Sequence, residues 1–204
     1  MKHIYVAGTE QFVSKEDLNN LLNGQVLGAN ILGLDPKDLE SALRDNFLGI
    51  KSVTVTKDFP DIIEVLVLER VPKSVVCDPK KECFYIDGEG YVLGATGYDE
   101  TDFPIIDYSG DIFIGKILEE DVIPVSFEIL NFSKKQKISV SSISYKPDYS
   151  EMYINDDIVV LISHSKDKSD ALKIVASLLN LKTDDGRSIR KIDLRYDKVV
   201  VSYD

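Results

Sequence analysis

The sequence predicts an α+β protein. Residues 1–72 should form two helices on a three-stranded sheet, and residues 73–204 a larger mixed α/β domain with a mostly antiparallel sheet. Three observations carry that expectation. Two helical stripes of leucine lie between an opening strand and a later strand pair, the pattern of a sheet covered by helices on one face. From about Val75 the texture changes to short strands parted by Gly, Asp and Pro. The length of 204 residues, with 44% hydrophobic and 29% charged residues, fits one large or two small globular domains.

In the first domain His3 to Val6 reads as a strand ended by Gly8. Ser14 stands at an N-cap with Asp17 three residues on, a weaker form of the capping box. Leu18, Leu21 and Leu22 follow at helical spacing, and Gly24 sits where a C′ glycine would close the helix. Asp35-Pro36 repeats the start signal with proline at the first helical position. Leu39, Ala42, Leu43 and Phe47 give the second stripe, and Gly49 stops it. Val53 and Val55 alternate with polar neighbours, as a half-buried strand does. Phe59-Pro60-Asp61 is a turn, and Ile62 to Arg70 is the next strand, ended by Val71-Pro72.

In the second domain Phe84 to Leu93 is a hairpin whose turn is Asp87-Gly88-Glu89-Gly90. Phe103 to Ile106 is a short buried segment, and a helix begins near Pro124. Ile138 to Tyr145, Glu151 to Ile154 and Ile158 to Ser163 read as three strands, the last two joined by Asn155-Asp156-Asp157. Lys168 to Leu181 is a helix with Leu172, Val175, Ala176 and Leu179 on one face. After an Asp184-Asp185-Gly186 turn, Ile189 to Leu194 and Lys198 to Tyr203 close the chain as strands.

The charge balance narrows the partners. With 24 Lys and Arg against 35 Asp and Glu, the formal net charge is −11. Nucleic-acid binding needs clustered cations, and so does a polybasic hold on anionic lipid, so neither partner is expected. No apolar run reaches the roughly 20 residues that span a bilayer. The catalytic spacings G-x-S-x-G, H-E-x-x-H, the Walker loop and the EF-hand do not occur. Gly88, Gly90, Gly94 and Gly97 have the wrong spacing for a phosphate loop, and a strand rather than a helix follows them.

Two histidines, His3 and His164, and two cysteines, Cys77 and Cys83, fall short of a zinc set or a placed Cys/His pair. The acidic turns at Asp156-Asp157 and Asp184-Asp185 could attract a cation, but such residues more often solvate a turn. No metal, no cofactor and no enzymatic activity is expected. Cys77 and Cys83 fit two readings. One is a disulfide across a short hairpin in an oxidising compartment, worth about 2.4 kcal/mol in a seven-residue ring. The other is a pair of reduced thiols.

What remains is a surface. The closing strand Lys198-Val199-Val200-Val201-Ser202-Tyr203 is apolar and β-branched, with no later strand to pair with it. At a sheet edge its free N–H and C=O groups would invite a strand from another chain. In the interior it would be paired on both sides.

Several strings in this order resemble the extracytoplasmic part of the FtsQ/DivIB cell-division family. They are Ile4-Tyr5-Val6-Ala7-Gly8, Val53-Thr54-Val55-Thr56-Lys57-Asp58-Phe59-Pro60-Asp61 and Leu68-Glu69-Arg70-Val71-Pro72. Further on come Tyr85-Ile86-Asp87-Gly88-Glu89-Gly90, Phe103-Pro104-Ile105-Ile106 and Ile192-Asp193-Leu194-Arg195-Tyr196. The resemblance implies a POTRA domain over residues 1–72 and the family's β domain over 73–204. It also implies a single membrane-spanning helix before the first strand, outside this chain, with this part extracytoplasmic at the division septum.

Family members are non-catalytic scaffolds. Their β domain binds FtsB/DivIC, which travels with FtsL, by adding a strand near the C-terminal edge. Carried over, that surface comprises Arg195, Tyr196, Lys198, Val199, Val200, Val201, Ser202 and Tyr203, with Arg195 paired to a partner carboxylate. The POTRA domain would serve recruitment by other divisome members, with Lys57, Asp58 and Phe59 a loose match to a family surface. The pattern departs at Pro147-Asp148, where some members carry basic residues, so a salt bridge made elsewhere is not expected. An extracytoplasmic site would favour the disulfide reading of Cys77 and Cys83. The alternative is a POTRA module of an outer-membrane assembly or secretion protein, against which stands the lack of serial barrel strands.

Overall fold

The computed structural model describes residues 3–8, 12–26, 28–118, 121–155, 157–180 and 188–204. The Asp184-Asp185-Gly186 turn and Asp156 lie outside these residues. The chain divides into two compact units, residues 1–71 and 72–204.

The first unit runs β1 (His3–Ala7), α1 (Lys15–Val26), α2 (Pro36–Asn46), β2 (Ile50–Asp58) and β3 (Ile62–Glu69). The sheet order is β1-β3-β2, with β1 parallel and β2 antiparallel to β3. Both helix starts form as the sequence signals them. Ser14 Oγ accepts the Asp17 N–H at 3.2 Å, and Asp35 Oδ1 accepts the Lys37 N–H at 2.9 Å, with Pro36 at the first helical position. Leu18, Leu22 and Val26 from α1 join Leu39 and Leu43 from α2 over Val53, Val55, Ile63, Val65 and Val67. Period-two alternation puts those strand residues on one face and leaves Leu66 and Leu68 exposed on the other.

One expected boundary moves. Gly24 does not close α1, because the helix continues through it to Val26. Val26 is fully buried in the core, and that packing outweighs the roughly 1 kcal/mol that glycine costs in a helix interior. The left-handed residue after the helix is Gly28, with φ of 83°.

The second unit runs β4 (Pro72–Cys77), β5 (Cys83–Asp87), β6 (Val92–Thr96), β7 (Ile105–Asp107), α3 (Val122–Lys135), β8 (Val140–Tyr145), β9 (Tyr149–Ile154), β10 (Ile158–Ser163), α4 (Lys168–Leu179), β11 (Ile189–Asp193) and β12 (Val200–Tyr203). They form one nine-stranded sheet in the order β12-β11-β10-β9-β8-β7-β4-β5-β6. Five of its pairings are antiparallel and three parallel, so the sheet is mostly antiparallel as expected.

Two apolar clusters lie where the helices meet the sheet. Ile143, Met152, Val160, Ile162 and Ile192 pack with Ile129 of α3 and Leu172 and Val175 of α4. Val76, Ile86, Val92 and Ile106 pack with Val122 and Ile123. The third helix starts at Val122, two residues before Pro124, since proline is tolerated in a first turn whose N–H groups lack helical partners. The β5–β6 turn is built on Asp87, whose Oδ1 accepts the N–H groups of Glu89 at 2.8 Å and Tyr91 at 3.0 Å.

Candidate functional site

The two ends of the nine-stranded sheet are finished differently. At one end β6 is covered at its start by the segment Phe113–Leu118. Gly115 N–H donates to the Val92 carbonyl at 2.9 Å, and Val92 N–H donates to the Lys116 carbonyl at 2.9 Å. Leu118 N–H reaches the Gly90 carbonyl at 3.0 Å, and Tyr91 bridges Ile117. Gly115 makes the reversal with φ of 81°, a region other residues enter only with strain. One and two strands inward, Cys83 on β5 and Cys77 on β4 face each other and are joined by a disulfide.

At the other end β12 pairs with β11 alone among the described strands. Alternation of the antiparallel ladder turns half of its backbone groups away from β11. The strand begins at Val200, so Lys198 and Val199 of the expected stretch lie in the turn instead. Val199, Val200 and Tyr203 are each 40% or more exposed, Val201 is half-buried, and Tyr196 is 61% exposed. A tyrosine that large and that open beside an unfinished edge is an available anchor.

Arg195 is already engaged within the chain. Its Nη2 donates to Asp193 Oδ2 at 2.7 Å and its Nε to Asp193 Oδ1 at 3.0 Å, so the paired carboxylate bond is made within the chain. That bond holds Asp193 below the usual carboxylate range and Arg195 above the usual guanidinium range. The guanidinium lies 4.8 Å from the Tyr149 ring centre and 5.4 Å from that of Tyr196. These contacts place the charged group between the two tyrosine rings at the base of the turn. In register across the sheet, Glu151, Leu161, Asp193 and Val200 occupy neighbouring strands, so the row that holds Asp193 ends at an exposed valine on the edge.

Behind the turn lies the loop between β10 and α4, which the sequence did not single out. Lys168 Nζ donates to the carbonyls of His164 at 2.6 Å and Lys166 at 3.0 Å, and Lys166 Nζ donates to the carbonyl of Tyr196. The His164 ring stacks on Tyr145 at 4.5 Å, and its Nε2 lies 3.0 Å from Ser150 Oγ. Burial, then the nearby Lys168 ammonium, hold the imidazole pKa below its ordinary value. Ser150 is fully buried, so this Ser–His contact is closed to any substrate. Both sulfurs of the cysteine pair are bonded to each other and supply no thiolate.

Pro147-Asp148 forms the β8–β9 turn, where the Asp148 carbonyl accepts the His164 N–H at 3.0 Å. Among the described residues no cluster of three or more His, Cys, Asp or Glu could hold a metal ion. No described helix is long and apolar enough to cross a membrane.

Residues 1–70 match the family model of the POTRA domain, FtsQ-type. Over those residues the structure has the order strand–helix–helix–strand–strand with helices on one face of the sheet. The first unit is an FtsQ-type POTRA domain. A domain of this type points to a scaffold role in cell division. The match ends before the second unit begins. Comparison with curated proteins gives no match.

Proposed function

We propose that this chain is the extracytoplasmic part of a non-catalytic divisome scaffold. In this reading it binds FtsB/DivIC-like and FtsL-like proteins outside the cytoplasmic membrane, at the septum, and couples them to septal wall synthesis. The partner adds a strand along β12 and seats against Tyr196, Val199 and Val200, with Val201, Ser202 and Tyr203 supplying the backbone ladder. Lys198 flanks the turn. The POTRA domain serves recruitment by other divisome members. The single observation that carries this reading is an apolar edge strand left open among the described strands beside an exposed tyrosine, in a chain whose first domain is FtsQ-type. Main-chain bonds would give affinity, and the tyrosine would give the partner a fixed point.

Titration calorimetry against the FtsB/DivIC-like ectodomain of the same genome, alone and with the FtsL-like one, tests it. Binding at micromolar or tighter Kd is expected. Tyr196→Ala should weaken binding by about 1–3 kcal/mol while leaving the melting temperature unchanged, because the ring is mostly in solvent. No heat with either partner from folded protein would overturn the proposal. An equal loss of fold stability in Tyr196→Ala would show that the ring is structural.

A further inference from the structure

Lys168 is an unusual choice where it stands. It is the first residue of α4, where the helix dipole disfavours a cation, and it is only 6% exposed. A buried ammonium at the positive end of a helix is retained only if carbonyls compensate it. They do, for its Nζ turns back onto the His164 and Lys166 carbonyls of its own loop. Capping is not its task. Asp167 already caps α4 by accepting the Asp170 N–H at 2.8 Å. The consequence of the lysine is a loop of fixed shape, and the residue that loop presents is Lys166. Its Nζ holds the Tyr196 carbonyl, while Arg195 packs beside the Tyr196 ring.

We infer that Lys168 and Lys166 are positioning residues for Tyr196, a two-lysine relay that fixes the backbone of the β11–β12 turn while its tyrosine stays in solvent. The inference rests on the proposed partner surface. It identifies residues off the β12 ladder that set its affinity. An anchor fixed before binding loses less rotational and backbone freedom when the partner arrives, so the relay acts through preorganisation. The contrary case is an exposed lysine contact of no consequence, which is how most surface contacts behave.

The chain contains no tryptophan, so Tyr196→Trp places a single fluorescent reporter on the turn. In that background Lys166→Met should lower the steady-state anisotropy of the indole and raise its acrylamide quenching. Lys166→Arg should restore both, since the guanidinium can reach the same carbonyl. In the otherwise unaltered chain, Lys166→Met should weaken binding of the FtsB/DivIC-like ectodomain by about tenfold, with the melting temperature held. Lys168→Met should give the same fluorescence change. If that variant unfolds, Lys166→Met alone decides. Unchanged anisotropy and quenching in Lys166→Met would overturn the relay, whether or not the partner binds. A failure of the unaltered chain to bind overturns the partner surface and leaves the fluorescence result to judge the relay.

Discussion

The two ends of the nine-stranded sheet share a fold and differ in finish. The β6 end has its first backbone groups taken by Gly115, Lys116 and Leu118, and the strands behind it are joined by the Cys77–Cys83 disulfide. The β12 end has no such cover among the described strands, yet its last turn is held from behind by Lys166 and stiffened by the Asp193–Arg195 pair. Edge strands that invite pairing are a liability, and proteins usually blunt them. A sheet that blunts one edge and leaves the other open among its described strands, while fixing the turn beside it, would concentrate association at a single place. The small sheet of the POTRA domain follows the same habit at β2, where Glu40 Oε1 accepts the Val55 N–H at 2.9 Å.

The largest effect should come from removing residues 198–204. Partner binding should fall more than about 100-fold, beyond calorimetric detection for a micromolar complex. The fold should survive, because within β12 only Val201 is even half-buried, and the loss of stability should stay near 1–2 kcal/mol. Urea unfolding followed by circular dichroism separates the outcomes. A truncated chain that no longer unfolds cooperatively would mean that β12 is part of the core, and the contrast between the ends would be false.

A smaller effect, opposite in kind, is expected at the other end. Gly115→Val forces a β-branched residue to φ of 81° and should cost about 1–2 kcal/mol in urea unfolding. It should also loosen the cover on Val92, so the variant should self-associate more strongly in sedimentation than the unaltered chain does. Partner binding at β12 should be unchanged. Loss of partner binding in Gly115→Val would show that the partner uses the β6 end.

Most of the fold was legible in the sequence because it depends on periodicity and on local polar signals. Ser14, Asp35 and Asp87 each announce a cap or a turn through a side chain that bonds a backbone N–H two to four residues ahead, so the information is local. Gly24 misled because the burial of Val26, which keeps α1 going, is a tertiary fact. The same holds at the site. The run from Lys198 to Tyr203 marked itself as an apolar strand, but edge and interior positions stayed open until the sheet order placed it beside β11 alone among the described strands. The cover over β6 carries no signal of its own, because Phe113, Ile114 and Ile117 read as apolar residues in a loop, and only the sheet shows what Gly115 and Lys116 bond.

Arg195 was legible as a cation beside an aromatic residue. The partner it has within the chain, Asp193, was two residues away in a string already singled out. A carboxylate two residues before the arginine, at the end of the strand, is the signal that would have shown the pair within the chain. The lysine relay could not be read in advance, since Lys166 and Tyr196 are thirty residues apart and meet only through the parallel pairing of β10 and β11.

The smallest effect should be one of pH, confined to the β12 end. His164 stacks on Tyr145, contacts Ser150, and faces the Lys168 ammonium, with Asp148 and Asp121 acting in the opposite sense. Burial and Lys168 together lower its pKa in the folded chain relative to about 6.5 in the unfolded one. The unfolded chain therefore takes up the proton first as pH falls, and stability must decrease between about pH 7 and the lowered folded value. His164→Gln should flatten that slope in urea titrations run at about pH 5 and pH 7.5. Amide exchange should show where the lost stability sits. At the lower pH, protection should fall around Tyr145–Ser150 and Arg195–Val199, which share the His164 loop, while Val92 and its partners keep theirs. A uniform loss across both ends would mean that His164 reports on global unfolding and that the loop behind Tyr196 does not open as a separate unit.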